Sequence, residues 1–288
     1  MHRIFFSLLL MLCFLAASCS KDKKQLPNKF TSIMKTRDVL KPLLMVHRGR
    51  LGDSMPENAI SSFDKVYELS DALLIEFDVR MTKDSVHVLL HDSTLDRTTT
   101  GEGVLSEKKY ESIKELNLIT NIGDTTTSHI PKYSEAIRWS KNKNFVCIDA
   151  KPGCDLKEIV AQITESGILD SSMVICYSIA DAMRYYDLSP DIILAIGFNS
   201  WDDLNKIKKS KIPFQNLVAL TPHSLQDERF YKEIRKLQIP MIYGTFGTLD
   251  LKELDLVKDI YRQHALRFNV LTTDRAGEVF TLLSKKQN

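Results

Sequence analysis

Apolar runs of strand length recur from residue 42 onward, at 43–47, 73–79, 145–150, 173–177, 192–196, 217–220, 241–245 and 270–273. Largely apolar runs of this length predict strands buried on both faces, as in a parallel sheet covered by helices. Between most of them lie stretches with helical spacing, such as 58–69, 157–166 and 249–265. Eight runs alternating with helix-length segments predict an α/β fold, a closed (β/α)8 TIM barrel over residues 42–288. An open doubly wound sheet is the alternative that periodicity alone leaves standing.

Two features break the rhythm. A short run at 86–91 follows the second strand after only a few residues, too few for a parallel crossover, so the pair is antiparallel. With Asp84-Ser85 as a two-residue turn, Lys83 pairs with Val86 and Asp78 lies opposite His91; Ser is a weaker turn residue than Gly, which leaves room for a slip of one register. The stretch from about 93 to 128 then carries Thr98-Thr99-Thr100-Gly101-Glu102-Gly103, a helix-like part at 107–116 and a polar loop. It reads as a small insertion over the barrel mouth.

The N-terminus adds a destination. His2 and Arg3 precede an apolar run from Ile4 to Ala17, too short to span a bilayer, followed by Ser18, Cys19 and polar residues. Leu15-Ala16-Ala17-Ser18-Cys19 resembles a bacterial lipobox, with Ala16 where Leu is usual. Residues 1–19 are therefore expected to be a lipoprotein signal peptide and Cys19 the lipidated residue; a plain cleaved signal peptide is the alternative. Either reading exports the mature protein, and lipidation at Cys19 would anchor it at the cell envelope. Residues 20–41 are polar, contain Pro27 and show no sustained period, which predicts a tether.

Charge narrows the partners. Lys+Arg 39 against Asp+Glu 37 leaves a net charge of +2, with no basic stripe, so a nucleic-acid partner is not expected. Beyond the signal peptide Cys147, Cys154 and Cys176 remain, an odd number without metal-ligand spacing. Buried free thiols are the expectation for Cys147 and Cys176; a disulfide would need a pair that sequence does not choose.

The candidate chemistry sits at strand ends. Glu76 and Asp78 share one face of their strand, while Ile75, Phe77 and Val79 take the other. Two acids at the C-terminal end of an apolar barrel strand face the mouth, and hard oxygen donors suit Mg2+ or Ca2+. Surface lysines meeting the two acids is the bland alternative. Asp149 and Lys151 repeat the geometry; Asp149 completes a metal site and Lys151 meets a phosphate, or the two form an internal salt bridge. His47-Arg48-Gly49 ends the first strand with a proton-transfer group beside a guanidinium fit for phosphate oxygens. His87 shares a strand face with His91 but lies about 13 Å from it by strand rise, which excludes joint chelation.

In order, His47-Arg48-Gly49, Pro56-Glu57-Asn58, Ile75-Glu76-Phe77-Asp78-Val79, Thr82-Lys83-Asp84, His91-Asp92, Arg97-Thr98-Thr99, Ile130-Pro131, Ser134-Glu135, Asp149-Ala150-Lys151 and Thr272-Thr273-Asp274 resemble the glycerophosphodiester phosphodiesterase family. The resemblance implies a TIM barrel that hydrolyses glycerophosphodiesters to an alcohol and glycerol 3-phosphate with one divalent cation, Ca2+ or Mg2+. His47 and His91 match the family's acid/base histidines; Glu76, Asp78 and Asp149 match its metal ligands. Arg48 and Lys151 match its phosphate-contacting cations, and Glu57 and Asn58 a motif supporting the site from behind the ligands. There are two departures. Asp149 stands where the family usually has Glu, and near the eighth-strand position Tyr243-Gly244-Thr245-Phe246 replaces a Trp-Thr-Val-Asn type motif, removing a Trp expected to wall the pocket. The competing readings are a lysophospholipase D-like or other phosphodiesterase on the same barrel, and a lipid-anchored binding protein without turnover.

Overall fold

The computed structural model describes residues 27–36 and 43–285. The expected signal peptide and lipidated Cys19 lie outside the described residues. The chain begins with α1 (Lys29–Thr36), β1 (Leu43–Val46), α2 (Ile60–Leu69), β2 (Leu74–Met81) and β3 (His87–Leu89). The insertion carries β4 (Asn117–Ile119) and β5 (Thr125–His129). A regular alternation follows: α3 (Tyr133–Ser140), β6 (Val146–Ala150), α4 (Leu156–Glu165), β7 (Ser172–Cys176), α5 (Ile179–Leu188), β8 (Ile193–Gly197) and α6 (Trp201–Lys209). It ends with β9 (Leu217–Thr221), α7 (Glu228–Lys236), β10 (Met241–Gly244), α8 (Leu254–Arg267), β11 (Val270–Thr273) and α9 (Ala276–Ser284).

Eight strands pair in parallel in the order β1-β11-β10-β9-β8-β7-β6-β2, and β1 pairs with β2 to close the barrel. The closed barrel expected from the eight apolar runs is what forms, and the open-sheet alternative falls. One residue set, including Met45, Cys147, Met173, Ala195, Val218 and Ile242, fills the barrel; another packs the strands against the helices. Asp155, Ser178, Ser200 and Asp227 cap the helices that follow four strands, their side chains accepting backbone N–H bonds. Cys147, Cys154 and Cys176 are all free, and Cys147 and Cys176 are buried, as expected of thiols in apolar strands.

Three sequence expectations change. The tether predicted over 20–41 does not hold for 29–36, which form α1 across the N-terminal end of the barrel. Phe30 and Met34, one helical turn apart, are buried in the barrel's interior cluster, and the Phe30 ring meets Phe145 edge-on at 5.4 Å. Asn28 donates to the carbonyls of Leu217 (2.8 Å) and Phe214 (3.2 Å). The helix-like part of the insertion resolves into two 3-10 turns, Leu105–Glu107 and Tyr110–Ser112; the insertion gathers its own core, with Leu95, Leu105, Ile113 and Leu118 against Val88 and Leu90.

The hairpin register is the third. Ser85 adopts φ +63, so Lys83, Asp84 and Ser85 make a three-residue turn ending in the left-handed region. Val79 then pairs with Leu89, and the Leu90 N–H donates to the Asp78 carbonyl at 3.2 Å. Asp78 lies opposite Leu90 rather than His91, a slip of one residue. The His91 backbone is fixed instead by Arg80, whose Nε donates to the His91 carbonyl at 2.7 Å.

Candidate active site

Glu76, Asp78 and Asp149 meet at the C-terminal end of the barrel, with ligand oxygens within 4.8 Å of one another. The strand ladder makes this unavoidable, since β2 and β6 pair with Asp78 directly beside Asp149. All three are buried. Lys151 Nζ bridges Asp78 Oδ1 (2.7 Å) and Asp149 Oδ2 (2.6 Å), and Asn58 donates to Asp78 Oδ2 at 2.8 Å. The Arg48 N–H donates to Glu76 Oε2 at 2.7 Å. Burial, then the charges of Asp78 and Asp149, push the Glu76 carboxyl well above its ordinary range. Burial also pushes Asp78 upward, but the charges of Lys151 and His91 and the bonds from Lys151 and Asn58 outweigh it and hold Asp78 low. Three buried acids meet one half-buried ammonium, with Arg48 Nε 3.9 Å from Asp78 Oδ2, and the upward push on Glu76 marks an excess of negative charge that a hard cation would neutralise. The donor set therefore fits a divalent ion.

The two histidines sit on either side, each held through Nδ1 by a carboxylate. His47 Nδ1 lies 2.8 Å from Asp274 Oδ1, and His91 Nδ1 lies 2.7 Å from Asp92 Oδ1. Because an ionised carboxylate only accepts, both rings carry their proton on Nδ1 and leave Nε2 for other partners. Asp274 is itself clamped. Arg50 Nη2 donates to its Oδ1 at 3.0 Å, and its N–H donates to Asp250 Oδ2 at 2.6 Å. On the other side Arg97 ties Asp92 (2.7 Å) to Glu57 (2.8 Å), and Glu57 receives Arg48 Nη1 at 3.0 Å. Glu57 thus holds Arg48 and joins the two halves of the site.

The first loop is shaped for this. Arg48, Gly49 and Asn58 all take positive φ, at 53, 64 and 55 degrees. At Gly49 a Cβ would lie 2.0 Å from the Phe63 ring, so the turn presenting His47 and Arg48 requires glycine. His87 takes no part: it is buried, and its Nε2 accepts the Asp155 N–H at 3.1 Å.

A cavity of about 210 Å³ opens beside the cluster. Its lining includes Glu76, Asp149 and His47, the apolar side chains of Ile175, Leu220, Ile242 and Phe246, and His223 and Thr221. The motif expected near the eighth strand lies on and just past β10, the seventh strand of the barrel. Tyr243 turns outward, its ring stacked on Phe268 at 4.7 Å and its hydroxyl donating to the His223 carbonyl. Phe246 supplies the aromatic wall instead, stacked nearly parallel on His47 at 4.2 Å and 9 degrees. Residue order did not assign roles to Asp274, Arg97, Phe246, Tyr177 or His223. Tyr177 donates its hydroxyl to Asp149 Oδ1 at 2.6 Å, and His223 Nδ1 donates to the Gly244 carbonyl at 3.0 Å. For Asp274 a signal existed, since closing the barrel pairs Val46 with Thr273 and so sets Asp274 beside His47. A larger open groove of about 790 Å³ between the insertion and α3 contains none of these groups.

A model of the glycerophosphoryl diester phosphodiesterase family matches residues 47–283. The chain belongs to that family. A glycerophosphodiester phosphodiesterase of Caldanaerobacter subterraneus is 39% identical over 234 residues, which cover 81% of this chain and 79% of the relative. Among solved structures, a glycerophosphoryl diester phosphodiesterase from Parabacteroides distasonis superposes with a TM-score of 0.80 at 25% identity, covering 90% of this chain and 93% of that one. An Oleispira antarctica phosphodiesterase, solved in complex with the product sn-glycerol-3-phosphate, shares the fold at a TM-score of 0.66 and 17% identity, covering 85% and 98%. Family membership makes the chain a phosphodiesterase, a hydrolase of phosphoric diesters.

Proposed function

We propose that the site hydrolyses glycerophosphodiesters to an alcohol and glycerol 3-phosphate, with a divalent cation, Ca2+ or Mg2+, held by Glu76, Asp78 and Asp149. The observation that carries the reading is the placement of two Nδ1-anchored histidines beside a buried acidic cluster flanked by Arg48 and Lys151. The product complex of the Oleispira relative supports the substrate class. When bound, the cation supplies charge neutralisation to the phosphoryl oxygens.

This chain's own residues supply the rest. Arg48 and Lys151 bring positive charge to the non-bridging oxygens, and both are pre-oriented by carboxylates, Glu57 for Arg48 and the Asp78–Asp149 pair for Lys151. One histidine takes a proton on Nε2 from the nucleophile, which is water or the substrate's neighbouring hydroxyl attacking through a cyclic phosphate. The other gives a proton from Nε2 to the departing alkoxide. The carboxylate behind each ring stabilises its charged form and fixes the ring plane, and Phe246 stacked on His47 restricts it further. His91→Ala tests the assignment: it should remove almost all glycerophosphocholine turnover, and near-normal turnover would show that the site is wrongly placed.

The same proposal includes export and anchoring through Cys19. Among the described residues no helix is long and apolar enough to cross a membrane. Metabolic labelling with a fatty acid should mark the protein and not its Cys19→Ala variant; equal labelling of both would reject the anchor.

A further inference from the structure

The acid that departs from the family's usual Glu is also the one that carries a phenol. Asp149 reaches about one carbon–carbon bond, ~1.5 Å, less far than a Glu at the same position. Both of its oxygens are occupied, Oδ2 by Lys151 Nζ and Oδ1 by the Tyr177 hydroxyl, each at 2.6 Å. The chain delivers Tyr177 to this point by strand alternation. Met173 and Ile175 of β7 turn into the barrel, and Tyr177, one residue past the strand, continues the same inner face. β7 lies beside β6, with Ile148 paired to Val174, so Tyr177 rises next to the strand end that bears Asp149. Ser178 follows at once and caps α5, its hydroxyl oxygen accepting the Asp181 N–H at 3.1 Å. Tyr177 is therefore a single residue between a paired strand and a capped helix, with little freedom to swing. Its ring is half exposed while its hydroxyl reaches the buried carboxylate.

Lys151 alone would leave Asp149 loosely held. Its ammonium is shared with Asp78 at 2.7 Å and sits on a flexible four-carbon stem. The terminal torsion of an Asp is broad, so a carboxylate anchored by one oxygen turns, whereas one anchored by both has its plane fixed. Resting on the cation reading of the acidic cluster, we propose that Tyr177 is a positioning residue for the cation: its hydroxyl fixes the short Asp149 carboxylate so that it serves where the family usually has Glu. The chemistry of the phenol suits the task. It is neutral, so it adds no charge that would repel a cation, as a lysine or arginine in its place would. It donates a single hydrogen bond and leaves further acceptor capacity on Oδ1. Hydrogen bonds from outside the ligand set orient ligating carboxylates, and removing such a partner costs about 10- to 100-fold in metal affinity.

The test is calorimetric titration of the chelator-treated protein with Ca2+ and with Mg2+, for wild type, Tyr177→Phe and Tyr177→Phe/Asp149→Glu. Tyr177→Phe removes one oxygen from a half-exposed ring and leaves the core untouched. The Kd for the ion that wild type binds should rise about tenfold in Tyr177→Phe, and most of that loss should be recovered in the double variant, whose longer acid needs no phenol. Thermal melting without metal separates this from a role in the fold: Tyr177→Phe should melt within about 4 °C of wild type, and a larger drop would assign the bond to folding and overturn the inference. Equal Kd values for wild type and Tyr177→Phe, or a loss that the longer acid does not relieve, would overturn it while leaving the cation reading in place. Tighter binding by Tyr177→Phe would show the phenol competing with the ion and overturn it equally. Failure of wild type to bind either ion would remove the cation reading and the inference together.

Discussion

Asp274→Asn isolates the positioning of His47 from everything else in the site. In the native protein Asp274 Oδ1 accepts from His47 Nδ1 at 2.8 Å and from Arg50 Nη2 at 3.0 Å. Burial pushes the Asp274 carboxyl upward, but the hydrogen bond and charge of His47 and the charges of Arg50 and Arg48 outweigh it and hold it below its ordinary range. It is therefore ionised wherever the enzyme works. An amide keeps the shape and removes the charge. A hydrogen bond to a charged group contributes about 1.5–3 kcal/mol, or roughly 10- to 150-fold in rate if expressed only when His47 is protonated. Asparagine can also turn its NH2 toward Nδ1, which would move the ring proton to Nε2 and block proton acceptance there. The combined expectation is a fall in kcat of about a hundredfold or more, with KM changing only a fewfold. Steady-state kinetics on glycerophosphocholine, with circular dichroism to confirm the fold, read this directly. A kcat within about threefold of wild type would refute the argument that Asp274 orients and charges His47.

Three further outcomes follow from the same geometry. Gly49→Ala places a Cβ against Phe63 at φ +64 and should destabilise by about 2–4 kcal/mol in urea unfolding; a change under about 1 kcal/mol would show the loop to be pliable. Phe30→Ala should cost about 3–5 kcal/mol in the same assay, whereas a free tether would show no loss. Burial pushes Glu57 upward, but Arg97 and Arg48 hold its folded value below the ordinary 4.5, so its stabilisation is present above that value and is lost as pH falls through the lower folded one. Stability curves taken from about pH 6 to about pH 3 should therefore fall more steeply for wild type than for Glu57→Gln, and parallel curves would count against the Arg48–Glu57–Arg97 linkage.

The barrel was legible because its strands are buried on both faces and read as largely apolar runs. So was the acidic cluster, since Glu76 and Asp78 alternate with Ile75, Phe77 and Val79. The place of His91 opposite Asp78 was read one residue out of register, the slip that a Ser in the turn left open. A left-handed Ser85 is not encoded by any strong residue preference, and one residue of slip moves every side chain across the strand. Helix α1 was hidden because Phe30, Ile33 and Met34 span barely two turns of otherwise polar sequence, too short for a period to register. Asp274, Phe246 and Tyr177 depend on barrel closure or loop path, and pattern along the chain carries neither. Asp149, shorter than the Glu usual at its position, meets Lys151 in the salt bridge that their shared strand face allowed, and also the Tyr177 hydroxyl, a contact no local motif announces.

The central claim is that the buried acids and the flanking histidines form one cation-dependent hydrolytic site. Its most direct test is release of glycerol 3-phosphate from glycerophosphocholine by the purified protein, after chelation and then on re-addition of Ca2+ or Mg2+, with Glu76→Gln alongside. The account predicts that chelation abolishes release, that one of the two ions restores it in wild type, and that Glu76→Gln is not restored. Undiminished release under chelator, or a Glu76→Gln enzyme as active as wild type, would contradict it.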